Sequence, residues 1–212
     1  MIRESGDLPD WQFRNLRGRG TGADLIMTPS PFQEAGFYFM AKVILVTGGS
    51  RSGKSRLAEQ LTEGFGTPLG YIATAAAGDA EMAARIARHQ QRRGPEWQTL
   101  EEPLDLCGVI TGHDGYFQAM LVDCLTLWLT NLLLQHHSPE PALAEVTRLT
   151  SAFASLKSPL VLVSSEVGMG IVPENALARS FRDLAGEANQ LIAAAADEVY
   201  VAIAGIPLKL KG

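Results

Sequence analysis

Residues 48–55 read Gly48, Gly49, Ser50, Arg51, Ser52, Gly53, Lys54 and Ser55. This is the full pattern G-x-x-x-x-G-K-[ST] of a loop that cradles phosphates. Each residue type has a task in that chemistry. Gly48 and Gly53 permit backbone angles and close approaches that a Cβ would block. The loop amides turn inward as an anion nest, and the helix opening near Lys54 aims its positive dipole end at the same point. Lys54 then reaches the β- and γ-phosphate oxygens of a nucleoside triphosphate, and the Ser55 hydroxyl sits on Mg²⁺. A chance match in a chain of this composition has a probability of roughly 1%. The motif also directly follows an apolar strand and opens a helical pattern, which is the setting the chemistry requires.

Two further positions carry chemistry. Asp123 closes the apolar run 119–122, where a carboxylate can hold Mg²⁺ directly or through water. An Asp at that place equally suits a cap for the helix that begins near Leu125, and the pattern alone leaves both open. Farther upstream, Arg85, His89 and Arg93 recur every four residues and share one helical face. Cationic neighbours on both sides disfavour imidazolium, so His89 is held in the neutral, nucleophilic form. By spacing alone, a solvated basic face with an idle histidine is the more ordinary reading. His113, His136 and His137 fall in loop or helix-end contexts that single none of them out.

These residues need a scaffold. Short runs rich in Val, Ile and Leu at 43–47, 69–74, 119–123, 160–164 and 199–203 suit strands buried on both faces of a parallel sheet. Helical patterns at 54–63, 80–92, 125–136, 143–157 and 176–196 alternate with them. The alternation predicts an α/β fold, a mostly parallel sheet flanked by helices. Residues 94–115 hold two prolines and four glycines and read as an irregular connection, with a short helix near 104–110. The segment 166–170 follows a strand, at the end of the sheet where ligands sit. Gly168 and Gly170 there suit either close approach to a bound group or a turn with unusual backbone angles. Asn189 lies on an alanine-rich helix and takes no assignment.

At 212 residues the chain is long enough for one domain with a sizeable core. Residues 1–39 mix charge, glycine and proline without a period, whereas Met40 is followed directly by the first strand. The expectation is an over-extended reading frame or a disordered tail at 1–39, and one domain at 40–212. A net charge of −5 lacks the electrostatic footprint of a nucleic-acid binder. No run of eighteen apolar residues offers a membrane span. Two isolated cysteines, Cys107 and Cys124, with no secretory leader, read as reduced thiols in a cytoplasmic protein.

Taken together, the runs 44–55, 71–74, 79–86 with His89 and Arg93, 97–101, 122–133, 165–175, 186–190 and 196–208 resemble one family. It is the bifunctional adenosylcobinamide kinase / adenosylcobinamide-phosphate guanylyltransferase family. The resemblance covers Lys42 to the C-terminus and leaves residues 1–39 outside. It implies a RecA-like P-loop fold in a propeller-like homotrimer, with adenosylcobinamide, ATP and GTP as substrates and no nucleic-acid partner. His89 takes the place of a nucleophile that forms a GMP–histidine adduct. Nucleotide contacts fall on Gly48 to Ser55, on Ala73, Thr74 and Ala75, on Arg92 and Arg93, and on Glu101. The competing readings are another small-molecule P-loop kinase and a nucleotide-dependent switch. The first lacks nucleotidyl transfer, and the second needs a partner surface that the short basic cluster alone would supply.

Overall fold

The computed structural model describes residues 41–75 and 93–212. The extension expected at 1–39, the histidine helix expected at 80–92, and with them His89 and Arg92, lie outside the described residues. Within them, seven strands form one sheet. They are β1 (Val43–Gly48), β2 (Leu69–Ala73), β3 (Trp97–Glu101), β4 (Ala119–Asp123), β5 (Leu160–Val163), β6 (Glu198–Ile203) and β7 (Ile206–Lys211). The described helices are α1 (Lys54–Glu63), α2 (Leu106–Gly112), α3 (Leu125–His136), α4 (Pro139–Ala152) and α5 (Ala176–Ala195), with a 3₁₀ turn at Phe153–Ser155.

The sheet runs β3-β2-β4-β5-β1-β6-β7. Every neighbouring pair is parallel except β6 and β7, which form an antiparallel hairpin. Alternation along the strands divides the core. Leu45, Ile72, Met120, Val122 and Leu162 face Trp128, Leu129, Val146, Leu149, Leu184 and Ile192 of α3, α4 and α5. Ile44, Val46, Leu121, Val161 and Val163 face the other way, toward Leu57, Ala58 and Leu61 of α1. This is why the central strands read as unbroken apolar runs rather than as alternating ones. Trp128 is fully buried, and its indole N–H donates to the Leu104 carbonyl at 2.8 Å. Truncating such a side chain to Ala costs about 3 to 5 kcal/mol, a large share of a domain's net stability.

The structure corrects three expectations. Trp97–Glu101 is a strand inside the stretch read as irregular. It is an edge strand, so Gln98, Thr99 and Glu101 stay exposed and the apolar signal is missing. Ile206–Lys211 is a second edge strand, exposed along its whole length. Helix α4 begins at Pro139 rather than 143, with proline in its first turn. Proline there sacrifices only an amide that has no partner in the helix.

Polar contacts tie β6 and β7 to β1. Val43 N–H donates to the Asp197 carboxylate at 2.7 Å. The Glu198 carboxylate, 12% exposed, pairs with Lys42 at 2.6 Å and Lys209 at 2.8 Å. It also accepts from the Tyr200 hydroxyl at 3.0 Å. Burial pushes its pKa up, but the hydrogen bonds from Lys209, Lys42 and Tyr200 outweigh this and bring it down to about 2. Because the folded value lies below the unfolded one, near 4.3, the contribution is complete above about pH 5 and is lost as pH falls toward 2. Screening of the exposed lysines limits it to about 1 kcal/mol. Glu198→Gln is therefore expected to flatten the fall in unfolding free energy between pH 5 and 2, measured by urea melts. An unchanged slope contradicts the assignment.

Candidate active site

The loop after β1 starts where a side chain cannot fit. A Cβ on Gly48 would lie 2.5 Å from Ser52 Oγ and 2.6 Å from the Ala202 carbonyl oxygen of β6. Gly53, the N-cap of α1, has φ +96° and carries no capping side chain. The first-turn amides of α1 therefore lack the usual hydroxyl or carboxylate cap, and no acidic residue occupies that turn. Lys54 is buried, and its ammonium donates to the Gly49 carbonyl at 3.0 Å. Ser52 Oγ is buried with no hydrogen-bond partner. Gly49, Ser50 and Arg51 are exposed, and Ser55 is half-buried in the first turn of α1. An inward-facing hydroxyl, a folded-back ammonium and uncapped amides make a cradle suited to an anion.

Strand register brings the other expected residues to the same end of the sheet. Ala73 pairs with Glu101 on one side and Asp123 on the other. Asp123 pairs with Val163, which pairs with Val46, two residues before Gly48. Asp123 is not the cap of α3, because the N-cap position belongs to Cys124. The Cys124 thiol is pushed up to about 11, first by burial and then by the Asp123 carboxylate, with Lys54 pulling the other way. The charges of Asp123 and Lys54 both act on Cys124, which stays a protonated thiol. Asp123 and Ser55 offer hard oxygen donors, the set that suits Mg²⁺ beside phosphates.

Thr74 is fully buried and does specific work beside Asp123. Its hydroxyl accepts from Cys124 N–H at 2.9 Å and donates to the Cys124 carbonyl at 2.7 Å. Its own carbonyl accepts from Asn131 Nδ2 at 2.9 Å, and the same amide donates to the Pro103 carbonyl at 3.1 Å. Thr126 Oγ1 accepts from Ser165 N–H at 2.7 Å, and Ser164 Oγ donates to Asn189 Oδ1 at 2.6 Å. Asn189, unassigned from sequence, thus anchors α5 to β5. Polar side chains of α3 and α5 knit the ends of β2, β4 and β5 together. No sequence signal marks Thr126, Asn131 or Ser164 for this work, since threonine, asparagine and serine are common near strand and helix ends.

The remaining positions are less uniform. Arg93 places its guanidinium 3.2 Å from the centroid of the Tyr71 ring, and its Nη1 is buried without a hydrogen-bond partner. Burial, and then the Asp123 charge, push the Tyr71 phenol far above its ordinary pKa, so it is neutral. Ala75 is half-buried just beyond β2. Glu166 N–H donates to the Gly48 carbonyl at 3.0 Å, so the 166–170 segment lies against the phosphate loop. Neither Gly168 nor Gly170 has a positive φ. Unusual backbone angles therefore do not account for those glycines. Gly168 borders an open cleft of about 530 Å³, also lined by Arg182, Asp183, Glu187 and Gln190. His113 bonds the Val109 carbonyl at 2.8 Å and stacks on Phe117, a structural role.

A phosphate loop joining a central strand to the first helix of a parallel sheet, with a carboxylate ending a strand two places away, defines a RecA-like P-loop NTPase fold. The family model described as cobinamide kinase / cobinamide phosphate guanyltransferase matches residues 44–210, and the chain belongs to that family. It is 47% identical over 168 residues to the bifunctional adenosylcobalamin biosynthesis protein CobP of Pseudomonas aeruginosa, covering 79% of this chain and 96% of the relative. It is 44% identical over 181 residues to the corresponding CobU protein of Escherichia coli, covering 80% and 99%. Among solved structures, the RadB recombinase matches with a TM-score of 0.45 at 16% identity, over 76% of this chain and 73% of that one.

The Thr74 hydroxyl can be tested apart from the loop. Thr74→Val leaves the Cys124 N–H without its partner, while the Cys124 carbonyl keeps the Trp128 N–H at 3.2 Å, and is expected to lower unfolding stability by about 1 to 3 kcal/mol. Thr74→Ser keeps the hydroxyl and is expected to stay within about 1 kcal/mol of wild type. Urea unfolding of both variants is the measurement, and equal losses would remove the clamp.

Proposed function

We propose that this chain phosphorylates the aminopropanol hydroxyl of adenosylcobinamide with ATP or GTP and then attaches GMP from GTP to that phosphate. The products are adenosylcobinamide-GDP and pyrophosphate. Family membership across 44–210 supports the pair of reactions. The observation that carries the reading is the cradle at Gly48–Ser55, whose backbone leaves no room for a Cβ at its entry and whose lysine folds over it.

One cradle serves both steps, because each begins with a bound triphosphate. In the first, the substrate hydroxyl attacks the γ-phosphorus, its proton departs, and the bond to the β-phosphate oxygen breaks. In the second, the imidazole of His89 attacks the α-phosphorus and pyrophosphate leaves. A phosphate oxygen of adenosylcobinamide phosphate then attacks that phosphorus and frees the imidazole. Splitting the transfer lets pyrophosphate depart before the bulky corrinoid enters. Lys54 and the loop amides of Gly49 to Gly53 oppose charge that develops on phosphate oxygens. Mg²⁺, held by Ser55 and Asp123, would neutralise the triphosphate. Ala73, Thr74, Ala75, Arg92, Arg93 and Glu101 belong to the proposed nucleotide contacts; Ala73, Thr74, Ala75 and Glu101 lie at the carboxyl ends of β2 and β3, whereas Arg93 precedes β3 and lies against the Tyr71 ring.

The same reading includes a cytoplasmic homotrimer. No described helix is long and apolar enough to cross a membrane. Edge strand β7, with Ile206, Leu208 and Leu210 exposed, is a sheet edge that an assembly would cover.

Incubation with α-labelled GTP is expected to leave an acid-labile, base-stable label on wild type and none on His89→Asn. Full labelling of that variant rules out the nucleophile. An unlabelled wild type that still phosphorylates adenosylcobinamide reduces the chain to a small-molecule P-loop kinase.

A further inference from the structure

The tip of the β6–β7 hairpin touches the phosphate loop. Ile203 pairs with Ile206, so Ala204 and Gly205 form a two-residue turn. Both have positive φ, at 52° and 82°, the turn geometry whose twist matches the flanking strands. Gly205 N–H donates to the Ser52 carbonyl at 2.9 Å. A Cβ on Gly53 would lie 3.2 Å from Gly205 Cα, and one on Gly48 would strike the Ala202 carbonyl. The end of β6 and the turn after it therefore form a wall behind the loop. The segment 205–208 belongs to a run that the resemblance singles out, yet none of the proposed reaction chemistry uses it.

The contact has an electrostatic consequence. The Ser52–Gly53 peptide is trans, so its C=O and the Gly53 N–H point in opposite directions. With the carbonyl held against Gly205, the Gly53 N–H is turned away from the hairpin, into the cradle. A flipped peptide would present a carbonyl oxygen to the phosphates instead. We propose that Gly205 is a positioning residue: its amide locks one dipole of the phosphate loop in the orientation that binds an anion. The proposal rests on the reading that this loop binds a triphosphate. It extends the cradle to a hairpin some 150 residues away in sequence, which no phosphate-loop motif contains.

The test uses the full chain and inorganic pyrophosphate as the probe, by titration calorimetry. Gly205→Pro removes the amide and, with φ locked at about −65°, also the turn's φ of 82°, so the hairpin contact is lost as a whole, whereas Gly205→Asn keeps the amide and tolerates positive φ. Pyrophosphate affinity is expected to fall about tenfold or more in Gly205→Pro and to stay within about threefold of wild type in Gly205→Asn. Should the proline variant not fold, amide hydrogen exchange at Gly205 in wild type decides: saturating pyrophosphate is expected to slow it about tenfold. Equal affinities in wild type and Gly205→Pro, or exchange at Gly205 indifferent to bound pyrophosphate, overturn the hairpin's role while leaving the triphosphate reading intact. A wild type that binds neither pyrophosphate nor GTP overturns both.

Discussion

Between Gly48 and the backbone of β6 there is no space for one more carbon atom. A side chain at Gly48 would meet the Ala202 carbonyl and the Ser52 hydroxyl, both closer than any real Cβ contact. This crowding restricts the position to glycine, where the chain leaves β1 and turns into the phosphate loop. The turn delivers Gly53 in a left-handed conformation, so α1 starts without a side-chain cap. Beside its first amides stand the Lys54 ammonium, bonded to the Gly49 carbonyl, and the buried Ser52 hydroxyl, which has no hydrogen-bond partner. An anion site made of backbone has a property that side chains lack: its dipoles lose little freedom when the ligand arrives, because the fold has already fixed them.

The sheet end around this loop is held by a different chemistry from the sheet centre. Leu45, Leu121, Val122, Val161 and Leu162 are wholly buried and make the strands stable through apolar contact. At the carboxyl ends the strands stop pairing, and their N–H and C=O groups need other partners. Thr74, Thr126 and Asn131 supply them, each joining two elements, and Asn189 adds a side-chain bond from the Ser164 hydroxyl. Gly205 does the same from the hairpin side. An unsatisfied buried group costs more than a satisfied one contributes. This edge is therefore rigid only while every partner is present, and Asp123 sits inside it.

The sequence makes α1 and β4 legible to the residue, because a glycine-lysine boundary and a closing Asp punctuate strong apolar patterns. The loop is equally legible, since G-x-x-x-x-G-K-[ST] states its own backbone demands. Strands β3 and β7 are not. An edge strand has only one neighbour and needs no continuous apolar run, so Gln98, Thr99, Glu101, Lys209 and Lys211 erase the signal. Asp123 illustrates a finer limit: pattern cannot separate a metal-facing carboxylate from a helix cap, and only the structure puts Cys124, not Asp123, at the N-cap position. Thr74 and Gly205 show why a motif is not a site. Their contacts join segments 50 and 153 residues apart, a relation no local pattern encodes. The resemblance to a known family names His89, whereas its spacing alone describes an ordinary basic face.

The cradle's central claim concerns Lys54, whose buried ammonium bonds the Gly49 carbonyl at 3.0 Å. Calorimetric titration of the folded chain and of Lys54→Ala with GTP and Mg²⁺ addresses it directly. A triphosphate seated against that ammonium requires the variant to lose about a hundredfold in affinity while circular dichroism shows it still folded. Equal affinity in the two proteins would place the triphosphate somewhere else.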